Sequence, residues 1–142
     1  MSAESNKAIV RRYREIHNSD HLDKLEEALA PDFVPHATIP GTSWNGIESA
    51  KQLHLMTKSI FPDVHVETND LLAEGDYVVE RWTQTMTHTG APFFIGNIPA
   101  SGKAMRTTGI SIYRIANGKI VEHWADMDFF GVMVQAGAIP AS

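Results

Sequence analysis

The sequence predicts an α+β fold, and three observations lead there. The apolar period is helical up to Pro62 and changes to two beyond it. An Asn117-Gly118 pair divides two segments rich in β-branched and aromatic residues near the end of the chain. No Pro/Gly/Ser-rich linker, repeat or low-complexity block interrupts the 142 residues, so residues 1–142 read as a single domain. Helices first and a mostly antiparallel sheet second place the helices on one face of the sheet.

From Ser5 to His17, Ile9, Val10, Tyr13 and Ile16 recur at helical spacing, with Arg11, Arg12, Arg14 and Glu15 at the other positions. A second, shorter helix is expected after Asp20 as N-cap, with Leu22, Leu25, Ala28 and Leu29 on one stripe and Pro31 beyond its end. Asp32 to Asn45 reads as a loop or short extended piece carrying Phe33, His36 and Trp44. A third helix starts at Gly46, carries Ile47, Ala50, Leu53, Thr57, Ile60 and Phe61 on its apolar stripe, and stops at Pro62.

The strands follow. Val64, Val66 and Thr68 alternate with His65 and Glu67, and Tyr77 to Thr89 and Met105 to Ile115 have strand composition. Asn117-Gly118 supplies the two positive-φ positions of a type I′ turn. A two-residue turn pairs Ile115 with Ile120, Tyr113 with Glu122, Ser111 with Trp124, Gly109 with Asp126 and Thr107 with Asp128. Tyr113, Glu122, Trp124, Asp126 and Asp128 then share one face, and a slip of one residue reverses every one of them. A strongly curved sheet wrapped over three N-terminal helices makes a cone with an open mouth, a natural small-molecule cavity.

Composition narrows the chemistry. With 43% hydrophobic and 20% charged residues, the chain has the make-up of an ordinary globular domain. The absence of cysteine removes thiol nucleophiles, zinc ribbons, iron–sulfur clusters and disulfides. Seventeen acidic residues against twelve basic ones argue against nucleic acid as a partner. No apolar run of membrane-spanning length and no signal-peptide pattern occurs, so the expectation is a cytoplasmic protein with no membrane partner. GxSxG, Walker and dinucleotide glycine patterns are missing, as is HExxH, and the His17/His21 and His123/Asp126/Asp128 spacings match no known metal motif. Neither cofactor nor metal is expected.

Carboxylates against aromatic walls are the raw material of general acid–base catalysis, because desolvation raises a carboxyl pKa towards neutrality. Strand carboxylates ordinarily face water, so Glu122, Asp126 and Asp128 do not all belong in a cavity. Asp128 is the foremost candidate, since it ends its strand where the chain turns into Phe129-Phe130-Gly131 and can sit deep in the cone. His36 lies in an apolar setting, His54 at the edge of a helical stripe, and His88 shares strand parity with Trp82 and Met86; for each, a hydrogen-bonded structural role is the competing reading. The loop from Pro92 to Pro99, with Phe93, Phe94, Ile95 and Ile98, is apolar enough to rim a pocket or to contact a second copy.

Several stretches resemble a known family. Arg81-Trp82-Thr83-Gln84-Thr85-Met86-Thr87-His88-Thr89-Gly90, the G-x-x-P-x-x-G-K loop from Gly96 to Lys103, Tyr113-Arg114-Ile115, Gly118 to Trp124 followed by Asp128 and Gly131, and Val134 to Ile139 are similar to SnoaL-like polyketide cyclases (ester cyclases). The resemblance implies the cone-shaped α+β barrel of the nuclear-transport-factor-like superfamily and a homodimer built through the sheets. It implies intramolecular aldol closure of an aromatic polyketide ester, with Asp128 as acid/base, His36 in the same pocket, and no metal or Schiff-base lysine. Trp44, Trp82 and Trp124 then wall a small hydrophobic or aromatic substrate, with His54, His88, Tyr113 and Asp126 as further pocket residues. Other readings stay open on the same fold: a cofactor-free hydroxylase, a hydrolase using Glu122, Asp126 and Asp128, or a non-catalytic binding or dimerisation module.

Overall fold

The structure is a computed structural model that describes residues 2–37 and 46–140. Helix α1 (Ala3–Ser19) is capped by Ser2, whose hydroxyl accepts from the Ser5 amide at 3.0 Å, and it buries Val10, Tyr13 and Ile16 as the stripe requires. Asp20, expected to begin the next helix, instead ends α1 in the left-handed conformation with φ 66°. A 3₁₀ helix (Leu22–Glu27) follows, and Leu29, expected on its stripe, already belongs to strand β1 (Leu29–Ala37). Pro31 and Pro35 fit there because β1 is an edge strand. Helix α2 (Gly46–Ile60) stops two residues before Pro62, as its sequence predicts.

Strands β2 (His65–Glu74), β3 (Tyr77–Thr87), β4 (Ala104–Ala116) and β5 (Lys119–Met127) complete a five-stranded sheet of order β1-β5-β4-β3-β2. All pairs are antiparallel except β1 with β5, which the extended segment after Leu29 makes parallel. Both β1 and β2 are edges, so the cone is open and the sheet does not close into a barrel. A C-terminal helix α3 (Phe129–Ala136), not foreseen from the sequence, is started by Asp128 and ended by Gly137 at φ 87°. No helix among the described residues is long and apolar enough to cross a membrane.

The Asn117-Gly118 turn forms as expected, with φ of 52° and 77°, and Ile115 faces Ile120. The register then departs from the expected one. Val121 is an extra residue on β5, a β-bulge, and beyond it Arg114 faces Glu122, Tyr113 faces His123, Ile112 faces Trp124 and Ile110 faces Asp126. One inserted residue reverses β5, because side chains alternate with period two. The concave face therefore receives His123, Ala125 and Met127 beside Tyr113 and Ser111, while Glu122, Trp124 and Asp126 go to the convex face.

Two apolar clusters form beneath the sheet. One joins Val10, Tyr13, Ile16, Phe33, Val78 and Tyr113; the other joins Ile60, Phe61, Met86, Phe93, Met105 and Val132. Between them lies the cavity, since residues of both clusters line it.

Candidate active site

The cavity has a volume of about 200 Å³. Its walls are mostly apolar: Phe33 and Pro35 from β1, Leu53 and Ile60 from α2, Phe93 and Phe129 towards the C-terminal end. No Asp, Glu, Lys or Arg lines it among the described residues. Polarity comes instead from Tyr13 and His17 on α1, Ser49, His54 and Thr57 on α2, Gln84 on β3 and His123 on β5.

These rings converge. His17 and His54 meet edge to face at 4.8 Å, Tyr13 stands 6.1 Å from His17 and 6.2 Å from His123, and His123 stacks on Tyr113 at 4.5 Å with an interplanar angle of 8°. Nδ1 of His17, Nδ1 of His54 and Nε2 of His123 are buried without a hydrogen-bond partner among the described residues. A buried nitrogen in that condition is costly, and the three belong to residues that line one cavity.

Burial disfavours the charged form of all three imidazoles. Burial, reinforced by the Arg14 charge, lowers the pKa of His17 well below its ordinary value and that of His123 down to about 3. Burial also lowers His54, but its hydrogen bond to Asp20 opposes the effect. That bond joins His54 Nε2 to Asp20 Oδ1 at 3.4 Å, and Lys58 Nζ donates to the same oxygen at 2.6 Å.

Behind His123 lies a buried charge network. Glu80 is fully buried and accepts from Arg14 Nε at 3.1 Å, Arg14 Nη2 at 2.7 Å, Thr68 Oγ1 at 2.6 Å and Tyr113 Oη at 2.6 Å. Arg14, expected on the polar side of α1, sits four residues from Val10 and so on the inward stripe. Glu80 alternates with Val78 and Trp82 on the inward face of β3. Both positions were legible as polar residues on apolar stripes. His17, four residues from Tyr13, carried the same signal, whereas His123 was hidden by the bulge.

The residues singled out from the sequence do not come together in one site. His54 lines the cavity, and Tyr113 supports it from beneath His123. Trp82 and His88 face inward but serve the core: Trp82 Nε1 donates to Ser111 Oγ at 2.9 Å, and His88 Nε2 donates to the Ala91 carbonyl at 3.0 Å, pinning the loop after β3. His36, Trp124 and Asp126 lie on the convex face. There His36 stacks on Trp124 at 4.9 Å and its Nε2 meets Glu122 Oε2 at 2.9 Å, a real cluster on the side of the sheet away from the cavity. Asp128, expected deep in the cone, is exposed and caps α3, its Oδ1 accepting from the Gly131 amide at 2.9 Å. The bulge explains this too, since Met127 takes the inward position and the next residue points away. Trp44 lies outside the described residues.

A curved open sheet over helices, enclosing an apolar pocket with a few convergent polar groups, defines the class of small-ligand cone folds. A family profile described as SnoaL-like polyketide cyclase matches residues 7–136, and the chain belongs to that family. Among solved structures, AclR from Streptomyces galilaeus, named as a candidate hydroxylase, is 26% identical with a TM-score of 0.85, covering 99% of this chain and 86% of its own. TsrD from Streptomyces laurentii is 27% identical with a TM-score of 0.83, covering 98% and 99%. IdmH from Streptomyces antibioticus, named as a candidate polyketide cyclase, is 26% identical with a TM-score of 0.82, covering 93% and 98%. No curated protein matches the chain.

Proposed function

We propose that this protein is an acid–base enzyme that closes or isomerises a small, neutral, hydrophobic carbonyl compound by aldol-type chemistry, with an imidazole rather than a carboxylate as the base. The carrying observation is a cavity lined by three histidines and by no Asp, Glu, Lys or Arg among the described residues. His54 is the base of choice, since its ring bonds a carboxylate that stabilises the imidazolium formed when it takes a proton, against the lowering that burial imposes. In the reaction, His54 takes a proton from the carbon next to a carbonyl, leaving an enolate and an imidazolium. The enolate carbon bonds to a second carbonyl carbon, whose π electrons move to oxygen, and the imidazolium returns its proton to that alkoxide. His17, His123 and Tyr13 supply hydrogen bonds to the oxygens.

Size and charge support the substrate class. A cavity of about 150 Å³ accommodates benzene, drug-sized pockets begin at about 300 Å³, and this one is about 200 Å³. One or two rings fit it better than the three of an anthraquinone ester, and among the described residues no lining cation is present to pair with a carboxylate substrate. The test is exchange of the α-protons of 2-tetralone, a neutral two-ring ketone, for deuterium in D₂O, followed by NMR. Wild type is expected to accelerate exchange, and His54→Ala to lose about 10²-fold or more of the acceleration. Binding seen by tryptophan fluorescence with no exchange above buffer would overturn the enzymatic reading in favour of a binding module.

We also propose that a second copy of the chain covers the convex face. Leu72, Val79, Ile112, Trp124 and His36 form one rung across all five strands, and Leu72, Tyr77, Ile110 and Ile112 are exposed around it. Sedimentation of wild type as a dimer and of Ile112→Lys as a monomer is expected; a monomeric wild type refutes it.

A further inference from the structure

Asp20 stands where a helix commonly ends in glycine, in the left-handed region at φ 66° and ψ 4°. The position is conformationally unfavourable for a side chain, and this side chain reaches across to α2. His54 and Lys58, four residues apart and so on one face of α2, both meet its Oδ1, at 3.4 Å and 2.6 Å. The Lys58 hydrogen bond holds the Asp20 carboxyl below its usual range. An ionised carboxylate only accepts hydrogen bonds, so the proton of the neutral imidazole must sit on Nε2. Nδ1, the buried nitrogen without a partner, is then the basic one.

We propose that Asp20 is the positioning residue of His54, holding its ring as the Nε2–H tautomer and leaving Nδ1 unprotonated, with Lys58 anchoring the carboxylate. This deepens the preceding reading and rests on it for the identity of the base. When Nδ1 takes a proton, the resulting imidazolium faces Asp20, and the exposed carboxylate connects the buried ring to solvent. The titratable groups facing His54 are His17 from α1, Asp20 and Lys58.

The experiment needs no substrate at its first stage. Long-range ¹H–¹⁵N spectra of the histidine rings are recorded for wild type, Asp20→Asn and Asp20→Gly; glycine suits the local backbone, so that variant folds. Wild-type His54 is expected to show a protonated Nε2 and an unprotonated Nδ1. Asp20→Gly is expected to give a tautomer mixture and a lower His54 titration midpoint, at unchanged or higher Tm. In the 2-tetralone assay both variants should lose about tenfold or more in kcat with little change in KM, and the acid limb of the pH profile should follow the midpoint. Identical His54 spectra in wild type and Asp20→Gly, or a protonated Nδ1 in wild type, would overturn the assignment. Altered spectra without wild-type turnover would uphold the positioning role and defeat the catalytic reading; turnover with unaltered spectra would do the reverse.

Discussion

Replacing Glu80 with glutamine keeps the shape of the side chain and removes the charge that balances Arg14. In the native protein Glu80 is fully buried and receives four hydrogen bonds, two of them from the guanidinium. Glu80→Gln leaves Arg14, itself 9% exposed, without a counter-charge and sets an amide group against it. Breaking a buried pair by neutralising one partner costs about 3–5 kcal/mol. Glutamine retains one carbonyl acceptor, so the lower end, about 3 kcal/mol, is expected. At this chain length that is a fall in Tm of roughly 10 °C. Urea unfolding at pH 7 should show a lower midpoint at unchanged slope. The loss should also depend on pH. Burial works against the Glu80 carboxylate, but the hydrogen bonds and charge of Arg14, with Thr68 and Tyr113, outweigh it and hold the carboxyl below its ordinary value of 4.5. The folded state thus favours the ionised form; this stability is complete above about pH 4.5 and disappears as pH falls through the folded value. Wild type and variant should converge in acid. A difference under about 1 kcal/mol at pH 7, or one that persists undiminished in acid, would refute the reasoning.

Asp128→Ala removes the cap of α3 and should cost about 1 kcal/mol in urea while leaving 2-tetralone exchange within twofold of wild type; abolished exchange in a folded variant would return Asp128 to the chemistry. Gly109→Ala places a Cβ 2.2 Å from Trp82 Cζ2 and should cost about 1–3 kcal/mol by thermal or urea unfolding; wild-type stability would show that the ring has room to move. Because His123 is held at about 3 when folded and titrates near 6.5 otherwise, the unfolded chain binds a proton that the folded chain refuses between those values. Its contribution to stability should fall as pH drops from 6.5 towards 3, by up to about 1.4 kcal/mol per pH unit. His123→Gln should flatten that part of the curve, and an unchanged slope would count against a neutral buried ring.

Period and punctuation were enough for the fold class and for several of its elements, though not for strand β1 or helix α3. The α1 stripe of Val10, Tyr13 and Ile16, the stop of α2 before Pro62 and the Asn117-Gly118 turn are local signals, and each element formed where its own residues required. Local signals failed at Asp20 and at Leu29, where one residue suits two roles: aspartate caps a helix start but tolerates the left-handed region at a helix end, and leucine packs equally well from helix or strand. The candidate site was only partly legible for a different reason. Both faces of β5 carry mixtures of polar and apolar groups, Glu122, Trp124 and Asp126 on one and His123, Ala125 and Met127 on the other, so alternation alone could not say which faced the core. A single bulged residue, Val121, decided it, together with the stacking of His123 on Tyr113 and the parallel docking of β1. The residues of this chain determined by themselves that a cone would form over helices. Which imidazoles line it, and that Asp128 and His36 do not, was decided by tertiary pairing, because strand register is a relation between distant segments that neither segment encodes alone.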